Sequence, residues 1–94
     1  MSLDENRMIR ERTAGHKAQA LWDDKTLQEC FTEIADDIRN GWSESKSEEA
    51  DRREELYYLN RALEELKRRI RKRIGVGNTA AKQLTEIEEG RKRR

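Results

Sequence analysis

Leu56, Leu59, Leu63, Leu66 and Ile70 recur at steps of three, four, three and four. Leucines spaced this way describe an α-helix with an apolar seam, because only a period of about 3.6 residues brings those positions onto one face. The seam covers just over two heptads in a/d register. It lies inside the longest helical pattern of the chain, about residues 46–74. These five residues form the candidate association seam, since an a/d face needs a partner helix, whether from the same chain or another.

The rest of the composition points the same way. Leu, Ile, Val and Phe together number only 16 of 94 residues, below the level expected of a globular core. Charged residues make up 44% of the chain, yet the net charge is only +1, and proline is absent. Such a composition suits long helices laced with ion pairs. Glu48–Arg52, Glu49–Arg53, Glu64–Arg68 and Glu65–Arg69 all fall at i,i+4 with the acid first, the favourable order. One domain at most is expected at this length. So small an apolar supply makes self-association or a partner protein the default expectation.

The expected fold class is all-α: an antiparallel helical hairpin with a long second helix, a short third helix and a flexible basic tail. Residues 1–15 read as a weakly ordered N-terminal arm, because Leu3, Met8 and Ile9 make no sustained stripe and Ala14-Gly15 interrupts. The hairpin domain spans 16–89 and begins with a short helical stretch, "HKAQALW". Asp23-Asp24 offer N-cap oxygens, and Thr26 with Glu29 has capping-box spacing. Leu27, Phe31, Ile34 and Ile38 then mark an amphipathic helix over about 24–40, with Asn40-Gly41 as its stop. Ser45 and Glu48 repeat the capping-box spacing ahead of the long helix. Gly75-Val76-Gly77 is expected to end that helix, and Ala80, Leu84 and Ile87 mark a third one over 79–89. Residues 90–94 form the basic C-terminal tail.

Charge is laid out unevenly. Residues 1–46 carry a net −3, residues 47–66 a net −4 and residues 67–94 a net +8. Six of the seven residues from Lys67 to Arg73 are basic. Cations in the last turns of a helix complement its dipole, and the Glu64 and Glu65 pairs account for Arg68 and Arg69. Arg71, Lys72, Arg73, Arg91, Lys92, Arg93 and Arg94 exceed that need and are the candidate polyanion-binding residues. Two readings stand for them: contact with a polyanion or an acidic protein surface, or solubility and dipole alone. No aromatic interleaves the run, which argues against base stacking of the single-strand type. No helix-turn-helix pattern precedes it, which argues against sequence-specific readout.

Catalytic chemistry has little to work with. His16 is the one histidine and reads as a surface side chain. Cys30 lies on the apolar stripe of the first amphipathic helix and has no histidine placed to activate it. One histidine and one cysteine cannot build a His/Cys metal cluster. Asp23-Asp24 and Asp36-Asp37 are helix neighbours that diverge by about 100°. "GVGN" follows a helix rather than a strand and lacks the spacing of a phosphate loop. The expectation is therefore a non-enzymatic protein without a cofactor. No apolar run approaches the ~20 residues of a membrane span, and the first residues have no secretory character. A single cysteine fits a reducing compartment.

The stretches "ALWDDKTLQECF", then Trp42, then "RREELYYLNRAL", then "GNTAAKQL" resemble a group of small uncharacterised helical proteins of tailed bacteriophages. Those carry a leucine-aspartate-proline-leucine-leucine start, a tryptophan after the first helix and a late glycine-lysine-alanine stretch. The overlap covers about residues 18–84. Lys25 stands where the pattern has proline, and Asn78-Thr79 replace its lysine. The resemblance implies a phage-encoded virion or assembly component, placed in the host cytoplasm or the virion, and implies no site residues. A nucleic-acid-binding module similar in layout to a terminase small subunit is the alternative. A small inhibitor that masks a host factor through its acidic portion is a third reading.

Overall fold

In the computed structural model, which describes residues 2–93, three helices account for nearly the whole chain. They are α1 (Leu3–Trp22), α2 (Lys25–Glu44) and α3 (Ala50–Lys92). No strand occurs among the described residues. The expected all-α class therefore holds, while several boundaries differ for identifiable reasons.

The first difference is α1. Where the sequence leads to a weakly ordered arm over 1–15, the chain is helical from Leu3. Ser2 caps it: the Glu5 N–H donates to Ser2 Oγ at 3.1 Å. Asp4 and Glu5 occupy its first turn, where carboxylates complement the positive end of the helix dipole. The buried residues of α1 are Gly15 and Ala18. A helix that packs through its smallest side chains carries no apolar stripe, so periodicity gives no sign of it.

α2 starts as its sequence suggests. Asp24 is the N-cap, accepting from the Leu27 N–H at 2.8 Å. The helix passes through the expected stop at Asn40-Gly41 and ends at Glu44, with Ser45 as C-cap. Gly41 is buried within the helix. A Cβ there would sit 3.2 Å from both Leu56 methyl carbons. Its missing side chain thus makes room for Leu56 instead of terminating α2.

α3 runs unbroken for 43 residues. The expected end at Gly75-Val76-Gly77 does not occur, and no glycine adopts the positive φ that a C-terminal glycine cap would require. The short helix over 79–89 is the continuation of α3. The tail is helical as far as Lys92, and Arg94 lies outside the described residues.

The chain divides into two compact units. One comprises Asp23–Arg68, that is α2 and the first part of α3. Its buried apolar side chains are Phe31 and Leu63. The Trp42 ring faces Arg53, the Gly41 position abuts Leu56 and the Phe31 ring faces Lys67. These contacts descend α2 as they climb α3. The other unit comprises Met1–Trp22 and Arg69–Arg94, that is α1 and the rest of α3. Its buried residues are Gly15, Ala18, Ile70, Gly77 and Ala80.

Candidate functional site: a divided charge and a divided seam

The seam proposed from leucine spacing separates into two faces. Leu63 and Ile70 are buried, at 5% and 7% exposure, and Leu56 is half-buried. Leu59 and Leu66 are exposed, at 49% and 50%. The inward line steps by seven through Leu56, Leu63, Ile70, Gly77 and Leu84, and the outward leucines stand beside it. A straight helix turns about 100° per residue, so Leu59 and Leu66 sit about 40–60° to one side of Leu63. α2 packs on the line at Leu56 and α1 packs on it at Gly77, and the flank of Leu59 and Leu66 stays open. On α2, Ile34 is likewise at the edge of the packed face, and Cys30 one turn earlier is exposed. Tyr57 and Tyr58 are exposed as well, with their rings edge-to-face at 5.5 Å.

The candidate polyanion residues also separate. Arg71, Lys72 and Arg73 lie in the middle of α3, so they do not serve as the C-terminal complement of its dipole. Arg91 and Lys92 occupy the last turn and can do so. The two groups are 20 residues apart on one helix, about 30 Å along its axis, and form no single cluster.

Their side chains have different engagements. The Arg71 guanidinium lies 5.4 Å from the Trp22 ring centre, within cation–π range. Arg91 Nη2 donates to Glu5 Oε1 at 2.6 Å, tying the start of α1 to the end of α3. Lys92 pairs with Glu88 at 3.7 Å. Lys72, Arg73 and Arg93 have no ion-pair partner among the described residues. Upstream, Arg68 takes both oxygens of Glu65 at 2.7 and 2.9 Å, and Lys67 reaches Glu64 at 3.7 Å. The hydrogen bonds that Arg68 donates to Glu65, and then the Glu65 charge, hold Arg68 above the usual arginine pKa.

The division of charge seen along the sequence carries over to the two compact units. Asp23–Arg68 holds 8 basic and 14 acidic side chains, net −6. Met1–Trp22 with Arg69–Arg94 holds 13 basic and 6 acidic, net +7. Most of the basic excess comes from Arg69–Arg94, net +6; α1, with Arg7, Arg10, Arg12 and Lys17 against Asp4, Glu5 and Glu11, adds +1.

Two further clusters have no signature in the sequence. In the acidic unit, Arg53 donates from Nε to Ser45 Oγ at 2.8 Å and from Nη2 to the Ser45 carbonyl at 3.1 Å. The same guanidinium stacks 5.0 Å from the Trp42 ring centre. The Ser45 hydroxyl in turn donates to the Trp42 carbonyl at 2.7 Å, so one arginine ties the α2 terminus to α3. In the basic unit, Gly15 and Gly77 face each other. A Cβ on Gly15 would stand 2.7 Å from the Gly77 Cα, and one on Gly77 would stand 2.6 Å from the Gly15 Cα.

Among the described residues no group of His, Cys, Asp and Glu could hold a metal ion, and no helix is long and apolar enough to cross a membrane. The chain matches no family model, no curated protein and no solved structure.

Proposed function

We propose that the chain is a non-enzymatic helical protein that works by self-association, with an antiparallel hairpin of α2 and early α3 in one unit and the α1–α3 pair in the other. The observation that carries this reading is the half-exposure of Leu59 and Leu66. Apolar residues repeating along one helix flank remain in water unless another chain covers them. The small apolar supply of the chain makes such a cover worth more here than in a larger domain. The bacteriophage resemblance extends the proposal to a virion or assembly component.

Sedimentation velocity over a wide concentration range tests it. The wild-type chain should sediment as an oligomer that dissociates on dilution. Replacing Leu59 and Leu66 by serine should weaken that association while leaving the far-ultraviolet spectrum helical. A chain that is monomeric at every concentration would remove the proposal.

A second reading, binding of nucleic acid, is favoured by one observation: Lys72 and Arg73 are exposed on a unit of net +7 and lack ion pairs among the described residues. Duplex DNA binding through such groups falls with salt at a log–log slope of about −0.9 per phosphate contact. Replacing both residues by glutamine should reduce that slope by up to about two contacts. If the wild-type chain ignores DNA and RNA at low salt, this reading fails.

A further inference from the structure

We propose that copies of the chain associate through opposite charge, the acidic α2–α3 unit of one copy docking on the basic α1–α3 unit of another. This rests on the self-association reading and specifies which surfaces meet. Three observations lead to it.

The first is the size of the division: net −6 on one unit and +7 on the other, in a molecule that is nearly neutral as a whole. Pairing like units would set six or seven like charges against each other, whereas pairing unlike units nearly cancels them. Second, the charges on exposed side chains are not consumed within each unit. Glu33, Asp37, Glu54 and Glu55 have no ion-pair partner among the described residues of the acidic unit. Lys17, Lys72 and Arg73 have none in the basic unit.

Third, each unit sets exposed apolar side chains beside those charges. In the acidic unit Glu55 lies one turn before the exposed Leu59, and Asp37 one turn after Ile34. In the basic unit Lys72 and Arg73 lie one turn before the exposed Val76, and Lys17 one turn before the exposed Leu21. Exposed apolar side chains flanked by acids on one unit thus have their complement in exposed apolar side chains flanked by bases on the other, and a specific interface combines both features. A polyanion would neutralise the basic unit but would leave Ile34, Leu59 and Leu66 in water. A second copy covers both.

Two charge-reversed chains test the idea. Chain one carries Asp37→Lys and Glu55→Lys; chain two carries Lys72→Glu and Arg73→Glu. All four positions are exposed, and helicity is checked for each variant by circular dichroism. The wild-type oligomer should weaken about tenfold or more as salt is raised from about 0.05 to about 0.5 M, through screening. Each variant alone should sediment as a monomer at concentrations where the wild type is associated. An equimolar mixture should regain the wild-type mass, because in the mixture both kinds of contact are again between unlike charges.

An oligomer that resists salt and survives in both variants would overturn the charge-paired contact while leaving self-association standing. A wild-type chain that is monomeric throughout would overturn both. Loss of association in each variant with no recovery on mixing would overturn the pairing of unlike units. A wild-type chain whose mass rises only when duplex DNA is added would also overturn it, in favour of a nucleic-acid partner.

Discussion

At the scale of single residues, glycine divides into two roles. Gly75 and Gly90 face open space, with nothing within 4 Å of an added Cβ. At either position alanine should stabilise the helix by about 0.5–1 kcal/mol through backbone entropy. Gly15 and Gly77 allow two helix backbones to touch, and an added methyl meets backbone atoms at 2.6–2.7 Å that cannot rotate away. Gly77→Ala should therefore destabilise, by about 1–3 kcal/mol as for an overpacked core, despite its better helix propensity. Thermal melts of Gly75→Ala and Gly77→Ala, two residues apart, should move in opposite directions; parallel shifts would mean that the Gly15–Gly77 approach is absent in solution. Arg53 is the other residue of disproportionate effect. Arg53→Ala removes two hydrogen bonds and the Trp42 stack and should cost about 1–3 kcal/mol. Trp42 fluorescence should report the loss; an unchanged emission and melting temperature would refute the linkage.

At the scale of elements, the leucine seam is best tested by comparing neighbours. Leu63 is buried, so Leu63→Ala should cost about 2–5 kcal/mol. Leu59 and Leu66 are half-exposed, and their alanine variants should cost much less at low protein concentration, where no second chain covers them. If all three variants melt alike in dilute solution, the inward line is misplaced. Ion pairing along α3 also departs from simple spacing. Glu64 was expected to meet Arg68 at i,i+4, but Lys67 takes Glu64 and Arg68 takes Glu65, both at i,i+3. The three-residue step is an equally good neighbour on a helix surface. The end of α3 matters to α1 as well. Deleting residues 91–94 removes the Arg91–Glu5 pair, whose carboxylate side is only 13% exposed. A loss of about 0.5–1 kcal/mol is expected, near the upper end for a surface pair. A deletion with no effect on melting would show that the pair contributes nothing.

At the scale of the whole molecule, the feature with most consequence is the division of charge between the two units. A linear reading places the acidic charge over the first two-thirds and the basic charge at the end. α1 crosses that division, since it is nearly balanced in sequence yet packs with the basic part of α3. Joining it to Arg69–Arg94 makes a unit of +7 and leaves one of −6. Opposite charges of this size predict association that is strong in dilute buffer and weak in concentrated salt. Melting temperature should rise with protein concentration at low salt, because an oligomer binds the folded state alone. Concentration-independent melting under those conditions would argue for an isolated chain.

Periodicity and composition by themselves determined that this protein is helical, where α2 begins and that α3 carries a leucine seam. Those features are local: a cap, a 3–4 repeat and an absence of proline act within a few residues of one another. Tertiary structure decided what depends on distant neighbours. It turned Gly41 and Gly77, which read as helix stops, into helix interiors, because a facing Leu56 and a facing Gly15 occupy the space a side chain would need. It made a helix of residues that show no apolar stripe, since Gly15 and Ala18 pack by close approach instead of by bulk. It also drew Leu59 and Leu66 out of the seam, because a heptad pattern states which residues share a face but not how wide a face the partner helix covers.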